Sequence, residues 1–250
     1  MSNRKRVLIL GGTGDATELA VKTAEISGVA IMTSLAGRTR QPIVPFKETR
    51  IGGFGGVSGL VNYLKEQLID VLIDATHPFA AQISFNAAIA ATAVNIPHLM
   101  LIRPAWKPVA GDVWIDVDSN ATAATVLPGL AQRVFLTIGR QELSTFAHLN
   151  IWFLMRMIDP PLPDTPVPPG ELLLDRGPFS LENERSLLQQ YKIGAIVSKN
   201  SGGHATYAKI IAAREQKIPV VMVQRPPIPT GEKVADVESA LSWLRDKVSK

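Results

Sequence analysis

The sequence predicts an α/β protein of two domains, each with a mainly parallel β-sheet flanked by helices. Short β-branched runs alternate with longer amphipathic stretches along all 250 residues, and such alternation is typical of crossover connections between parallel strands. The segment 103–112, with two prolines and a glycine, interrupts the alternation near the middle of the chain. Glycine-rich turns directly follow several of the strands. These observations favour two α/β halves over one large domain.

The first domain is predicted over residues 1–107. Its apolar runs indicate strands at residues 6–10, 29–34, 49–51, 70–75 and 98–102. Apolar residues at helical spacing predict helices over residues 14–28, 57–69 and 80–95. The prolines that follow the fifth strand cannot continue the sheet, so we place the domain boundary there.

The second domain is predicted over residues 108–250. Apolar runs indicate strands near residues 113–117, 133–138, 151–157, 171–175, 194–198 and 218–223. The helices are predicted near residues 119–131, 141–148, 180–191, 204–217 and 235–248. Residues 159–170 include six prolines, which predicts a stiff loop rather than a helix or a central strand.

Composition narrows the classes of function. The net charge of +4 comes from 26 Lys and Arg that are spread along the chain without a dense run, which argues against a nucleic-acid partner and suits an anionic small molecule. The chain contains no cysteine, so disulfides and thiolate chemistry are excluded. No apolar run is long enough for a membrane span, and we expect a cytoplasmic, monomeric protein.

The first strand ends in a glycine turn that opens a helix, in the sequence VLILGGTGDATELA. Gly12 and Gly14 match the first two glycines of the dinucleotide-binding fingerprint, while Thr17 stands in the place of the third. Such a turn lets the backbone approach a pyrophosphate, and the Thr13 hydroxyl could add a donor. An ordinary tight turn between strand and helix would look similar.

Two further strand ends support a dinucleotide. The second strand continues as TSLAGRTR, with Ser34, Arg38 and Arg40 but no acid, which favours the 2′-phosphate of NADP over the ribose of NAD. The third strand continues as IGGFGG, where glycines flank Phe54. So many glycines are explained if a flat ligand lies against the main chain. The alternatives are a solvated basic loop and a flexible glycine loop.

Polar residues follow the fourth strand and recur after strands of the second domain. The fourth strand ends in DATHP, which places Thr76 and His77 at the ligand edge of the sheet, with Asp74 expected to brace the turn. In the second domain, Arg140 follows one strand, and Lys199 follows another in the sequence SKNSGG. No cluster of His, Asp and Glu has metal-ligand spacing.

Several of these motifs, taken in order, resemble one family. The sequences GGTGDATELA, GGFGG, DATHPFA, GRQEL, GPF and SKNSGG, followed by PVVMVQRP, are similar to those of the precorrin-6A and cobalt-precorrin-6A reductases of corrin-ring biosynthesis. The resemblance extends from about Val7 to Pro226. One departure is Thr17, because members commonly carry an arginine at this position after an acid and an alanine.

The resemblance implies an NADPH-dependent reductase that reduces one double bond of a tetrapyrrole-derived polycarboxylate macrocycle to a precorrin-6B-type product. It also implies two Rossmann-like domains with the active site in the cleft between them, and no metal held by the protein. We assign His77 and Lys199 to catalysis. The residues that we assign to the cofactor are Gly11, Gly12, Thr13, Gly14, Ser34, Gly37, Arg38, Gly53, Gly55 and Thr76. The residues that we assign to the substrate are Phe54, Arg140, Ser198, Lys199, Ser201, Gly202 and Gly203.

Two other functions are compatible with the same pattern. The chain could be another NADP-dependent reductase or epimerase that acts on a small carbonyl compound. Against this, none of the tyrosines, at positions 63, 191 and 207, is followed four residues later by a lysine, as in the short-chain dehydrogenases. A non-catalytic NADPH-sensing module is the third hypothesis, and it would bind the cofactor without turnover.

Overall fold

The structure is a computed structural model that describes residues 4–37 and 49–249. The chain divides into two compact units. The first unit contains the residues up to Pro104 together with those from Pro226 onward, and the second unit contains residues Ala105–Arg225. Each unit is built on one six-stranded sheet.

Twelve strands are formed by the described residues. The first six are β1 (Lys5–Leu10), β2 (Val29–Leu35), β3 (Thr49–Ile51), β4 (Val71–Asp74), β5 (His98–Leu101) and β6 (Trp114–Val117). The others are β7 (Arg133–Thr137), β8 (Trp152–Met157), β9 (Gly170–Leu174), β10 (Ala195–Lys199), β11 (Val220–Val223) and β12 (Glu232–Val234).

Seven α-helices connect or flank these strands in the described part of the chain. They are α1 (Gly14–Thr23), α2 (Gly56–Glu66), α3 (Ala81–Val94), α4 (Asn120–Val126), α5 (Leu181–Gln190), α6 (Ala208–Glu215) and α7 (Val237–Val248). Within these residues, no helix is both long enough and apolar enough to span a lipid bilayer.

Both sheets are parallel throughout, which confirms the predicted fold class. The order in the first unit is β12-β5-β4-β1-β2-β3, the doubly wound order of dinucleotide-binding domains, with the topological switch between β1 and β4. The order in the second unit is β6-β11-β10-β7-β8-β9. Its switch lies between β7 and β10, and ligands of such sheets bind at the carboxyl ends of the strands beside the switch.

The centre of the first unit is strand β1, which is apolar on both faces. Val7 and Ile9 pack with residues of α1 and α7 on one side of the sheet. Leu8 and Leu10 pack on the other side with residues of α2 and α3, of which Ala87 is fully buried. A strand covered by helices on both faces reads as a continuous apolar run, which is why its position was predicted correctly.

The C-terminal segment joins the first unit, whereas the sequence analysis assigned it to the second domain. Strand β12 pairs with β5 in parallel, and the Ile102 N–H donates to the carbonyl of Val234. Helix α7 buries Leu241 and Leu244 in the core that also holds Leu19 of α1. The chain therefore returns after β11 to complete the first sheet and to cover one of its faces.

Four predicted helices have clearly different limits in the structure. Helix α1 ends at Thr23 rather than at residue 28. The segment predicted as helix 141–148 is a 3₁₀ helix over Arg140–Phe146. Helix α4 ends before Pro128, which lies in a 3₁₀ turn. Helix α6 begins at Ala208 rather than at residue 204. The carbonyl of Ala205 accepts from the distant Phe179 N–H, and that of Thr206 accepts from the Lys209 side chain, so neither continues a helical hydrogen-bond pattern.

A charged cluster is buried beneath the second sheet. The Arg156 guanidinium forms a bidentate ion pair with Glu184 and stacks 3.6 Å from the ring centre of Phe179. Lys209 is only 4% exposed. Its burial, together with the charge of Arg156, lowers the pKa of its ammonium to about 7. The second unit therefore contains a lysine that folding pushes toward the neutral form.

The pKa of Lys209 predicts a pH dependence of stability. The unfolded lysine keeps its proton up to about pH 10, whereas the folded one loses it above about pH 7. The free energy of unfolding should therefore rise with pH between these values, by up to about 1.4 kcal/mol per pH unit. Urea unfolding of the wild type and of Lys209→Met at pH 6, 7.5 and 9 measures this difference.

The matched control for this experiment is Lys192→Met, at an exposed lysine of the same unit. The free energy of unfolding of the control should depend on pH as it does in the wild type. Lys209→Met should lose the part of this dependence that Lys209 contributes. An unchanged slope in Lys209→Met would show that Lys209 stays charged in the folded protein.

Candidate active site

Four strand ends lie side by side at one edge of the first sheet, as the sequence predicted. They belong to β3, β2, β1 and β4, which are consecutive neighbours. Backbone hydrogen bonds extend the sheet into the turns: Gly11 N–H to Ser34 O at 2.9 Å, Gly52 N–H to Leu35 O at 2.8 Å, and Ala75 N–H to Leu10 O at 2.9 Å. The polar turns singled out in the first domain thus form one continuous rim around the switch point.

The glycine turn after β1 leaves open space beside its backbone. Gly12 has a φ of +113°, which favours glycine, and a Cβ at Gly12 or Gly14 would meet no atom within 4 Å. Helix α1 starts at Gly14 and directs its first N–H groups toward this space. The carboxylate of Asp15 in its first turn pairs with Arg103 at 2.8 Å. The turn therefore has the features that a diphosphate requires: backbone N–H donors, open space, and a nearby carboxylate whose charge is balanced by an arginine.

The hydroxyl of Thr13 is already committed within the protein. It donates to the carbonyl of Ala75 at 2.9 Å and accepts from the N–H of Ala16 at 3.1 Å as the N-cap of α1. The sequence analysis proposed this hydroxyl as a donor to the cofactor. In the structure its proton ties the turn after β1 to the end of β4, which leaves the backbone N–H groups of the turn to contact a ligand.

An arginine that the sequence analysis did not select fixes the glycine loop after β3. The Arg50 guanidinium donates to the carbonyls of Gly52 and Gly53, and its centre lies 4.1 Å from that of the Phe54 ring. The Phe54 ring in turn meets Tyr63 edge-on at 5.1 Å. Phe54, which we had assigned to the substrate, packs within the first unit as the support of this arginine.

The remaining loop positions lie on the same rim. Gly53 and Gly55 are exposed, and Gly55 adopts a φ of +79° at the start of α2. Gly37 has a φ of +71°, and a Cβ there would lie 3.2 Å from a methyl of Ile51. Ser34 is buried. Arg38 and Arg40 lie outside the described residues.

The turn after β4 is braced by Asp74, as predicted. This carboxylate is 4% exposed, and its Oδ1 accepts from both the N–H and the hydroxyl of Thr76, at 3.0 and 2.6 Å. The Nδ1 of His77 accepts from the Phe79 N–H at 3.2 Å. In the neutral imidazole the ring proton then resides on Nε2, where it can donate a hydrogen bond.

The candidate residues of the second unit lie at the carboxyl ends of β7 and β10, beside the switch of that sheet. Arg140 follows β7 and donates to the carbonyl of Pro160 at 3.2 Å. The Lys199 ammonium at the end of β10 lies 3.7 Å from a carboxylate oxygen of Glu142. Ser198 is 1% exposed and its hydroxyl donates to the Lys199 carbonyl. The buried Ser198 side chain therefore helps to fix the conformation of the turn that follows β10.

Three residues that were not selected from the sequence hold the turn with Ser201, Gly202 and Gly203. The Asn200 side chain accepts from the backbone N–H of Trp106 at 2.8 Å and donates to its carbonyl at 3.1 Å. The Trp106 indole donates to the carbonyl of Gly203. Arg225 donates to the carbonyls of Asn200 and Ser201. The Trp106 contacts join residues 94 and 97 positions apart and the Arg225 contacts join residues 24 and 25 positions apart, so no local pattern in the sequence predicts them.

Fold and site together define an α/β protein of two doubly wound sheets, the first with the rim of a dinucleotide-binding domain. The model of the family described as precorrin-6x reductase CbiJ/CobK matches residues 6–245. The chain belongs to this family and is therefore an oxidoreductase of cobalamin biosynthesis. In the described residues, no group of three His, Cys, Asp or Glu side chains could hold a metal ion.

Individual relatives agree with the family model along most of the chain. A precorrin-6A reductase of Rhodococcus erythropolis is 50% identical over 242 residues, which cover 96% of this chain and 97% of that protein. The precorrin-6A reductase of Rhodobacter capsulatus is 42% identical, with 96% of each chain covered. A solved structure described as CobK precorrin-6A reductase has a TM-score of 0.91 and 41% identity, with 97% of each chain covered.

The two hydrogen bonds from Thr76 predict the effect of removing Asp74. Asp74→Ala leaves the Thr76 N–H and hydroxyl without their charged acceptor, and should lower the free energy of unfolding by about 2–3 kcal/mol. Urea unfolding measures this loss. Asp118→Ala is the control, because the exposed Asp118 also accepts from a threonine hydroxyl, that of Thr122. The control should lower the free energy of unfolding much less. Equal losses would mean that burial of the Asp74 contact adds nothing.

Proposed function

We propose that this protein uses NADPH to reduce one carbon–carbon double bond of precorrin-6A, to give the dihydro product of the precorrin-6B type. The rim of four strand ends around Gly12 is the observation that carries the proposal, because it offers open space and backbone donors where a dinucleotide binds in this strand order. The names of relatives at 50% and 42% identity support the substrate.

The cofactor would lie along the rim of the first unit. The turn over Gly11, Gly12, Thr13 and Gly14 would hold the diphosphate through its N–H groups and the positive end of α1. The bound nicotinamide supplies the hydride. His77 and Thr76 at the end of β4 would orient the nicotinamide half of the cofactor. The Nε2–H of His77 is suited to a hydrogen bond with a ribose hydroxyl or an amide oxygen.

The 2′-phosphate would lie toward the β2 and β3 side of the rim. Arg38 follows β2 in the sequence, and a guanidinium group can bind a phosphate through two parallel hydrogen bonds. Arg50 stands at the neighbouring position of the sheet, in register with Ser34. Two of its five N–H groups bond to loop carbonyls, so donors remain for a phosphate oxygen.

The second unit would serve the macrocycle. Lys199 and Arg140 stand beside the switch of its sheet and carry the positive charge that peripheral carboxylates require. The ion pair of Lys199 with Glu142 holds the ammonium at this edge. Lys199 would bind a carboxylate or pass a proton to the second carbon of the double bond, after the hydride has added to the first.

The direct test is an anaerobic incubation of the purified protein with precorrin-6A and NADPH. The macrocycle spectrum should change as the absorbance of NADPH falls, and the product mass should increase by the two hydrogens of one reduced bond. Binding of NADPH without turnover would instead support a sensing module. Turnover of small carbonyl compounds with no reaction of precorrin-6A would support the other reductase function.

The position of Arg50 predicts a discrimination between cofactors. Arg50→Met removes a charge-assisted contact with the 2′-phosphate and should weaken NADPH binding by about 10- to 150-fold, which corresponds to roughly 1.5–3 kcal/mol, while NADH binding changes little. Equilibrium fluorescence titrations with both cofactors measure this, and Arg38→Ala in parallel tests the arginine predicted from the sequence. An equal loss for NADPH and NADH would show that Arg50 only holds the glycine loop in place.

A further inference from the structure

We propose that residues 202–206 of the second unit form an amide loop, a set of backbone N–H groups that binds one peripheral carboxylate of the macrocycle, and that Trp106, Lys209 and Arg225 are the positioning residues that shape it. The identity of the ligand rests on the proposed function. The anion site itself rests on the hydrogen bonds of the loop.

The N–H groups of the amide loop have no acceptor within the described part of the protein. The backbone N–H groups of five consecutive residues donate to no acceptor among the described residues: Gly202, Gly203, His204, Ala205 and Thr206. They precede Tyr207, the N-cap of α6, so they are not the orphan donors found at every helix start. Gly202 is buried, whereas His204 and Ala205 are exposed. Backbone N–H groups of buried residues are almost always paired in folded proteins, so the Gly202 N–H is the donor of this loop that most requires an acceptor.

The carbonyl groups of the amide loop, in contrast, have partners. Protein donors bind five carbonyls in and beside the amide loop. Arg225 donates to the carbonyls of Asn200 and Ser201 at 2.8 and 3.0 Å, and the Trp106 indole donates to that of Gly203 at 2.8 Å. The Phe179 N–H donates to the carbonyl of Ala205 at 3.2 Å, and the Lys209 ammonium donates to that of Thr206 at 2.9 Å. In a planar trans peptide the N–H points opposite to the carbonyl. The N–H groups of Gly202 and His204 are therefore directed away from the scaffold that binds the carbonyls.

Positive charge lies on the carbonyl side of the amide loop. Arg156 and Glu184 compensate each other, and the buried Lys209 adds a positive charge only in molecules in which it keeps its proton, a fraction that falls above about pH 7. The Arg225 guanidinium adds a second cation on the carbonyl side. Backbone N–H groups with cations behind them attract an anion and repel a cation. Among the groups of the proposed substrate, only the carboxylates match this site.

Amide chemical shifts test the site without any turnover. Precorrin-6A added without NADPH to ¹⁵N-labelled protein should move the resonances of Gly202, His204 and Thr206 saturably, with the same affinity as the rest of the binding site. NADPH alone should leave them in place. The site assignment is overturned if precorrin-6A binds and these amides do not move, or if NADPH alone moves them as a phosphate would. Absence of any precorrin-6A binding would overturn the proposed function as well.

A matched pair of tryptophan substitutions tests the positioning residues. Trp106→Phe keeps a ring beside Tyr207, whose centre lies 5.5 Å away, but removes the hydrogen bond to Gly203. Trp114→Phe is the control, because the buried indole nitrogen of Trp114 has no hydrogen-bond partner. Trp106→Phe should raise the KM for precorrin-6A by roughly five- to tenfold, the effect of one lost hydrogen bond. The kcat and the Kd for NADPH should change less than twofold.

The control Trp114→Phe should leave all three constants within twofold of the wild type. Equal KM values for the two variants would overturn the role of Trp106, and so would a parallel loss of NADPH affinity. If Trp106→Phe does not fold, Arg225→Lys tests the same idea, because a lysine cannot reach both the Asn200 and the Ser201 carbonyls with one planar group. The same rise in KM is expected for that variant, and an unchanged KM would contradict the proposal.

Discussion

The hydroxyl of Thr13 is the contact on which the rim of the first unit depends. It accepts a hydrogen bond from the first turn of α1 and donates one to the end of β4, so a single side chain connects the two elements on either side of the topological switch. This connection sets where the N–H groups of α1 point relative to Thr76 and His77. Because the hydroxyl has a single proton and donates it to Ala75, the donors that the turn leaves for a ligand are backbone N–H groups.

The turns of both units follow the same principle, in which side chains hold the backbone of each turn in place. In the first unit, Asp74 holds the turn after β4 and Arg50 holds the glycine loop after β3. In the second unit, Asn200 and Trp106 hold the turn after β10. A rigid backbone rim binds anionic groups such as diphosphates and carboxylates without ordering flexible side chains at the moment of binding.

The sequence was sufficient to predict the strands and the turns that carry the site, because buried parallel strands read as apolar runs and their carboxyl ends must lie at one edge. It could not reveal which polar groups already have partners. The Thr13 hydroxyl was expected to contact the cofactor and Thr76 was assigned to it, and both hydroxyls donate within the chain. Helix α7 was located correctly but assigned to the wrong sheet, since an apolar stripe does not specify the surface that it covers.

The most direct test of this account is the dissociation constant of NADPH for Thr13→Val and Thr13→Ser, measured by equilibrium titration of folded protein. Valine keeps the shape of threonine but removes both hydrogen bonds, so NADPH should bind at least about tenfold more weakly, as expected when two hydrogen bonds no longer fix the turn. Serine keeps the hydroxyl and should bind NADPH like the wild type. Unchanged NADPH affinity in Thr13→Val would show that the cofactor does not bind at this rim.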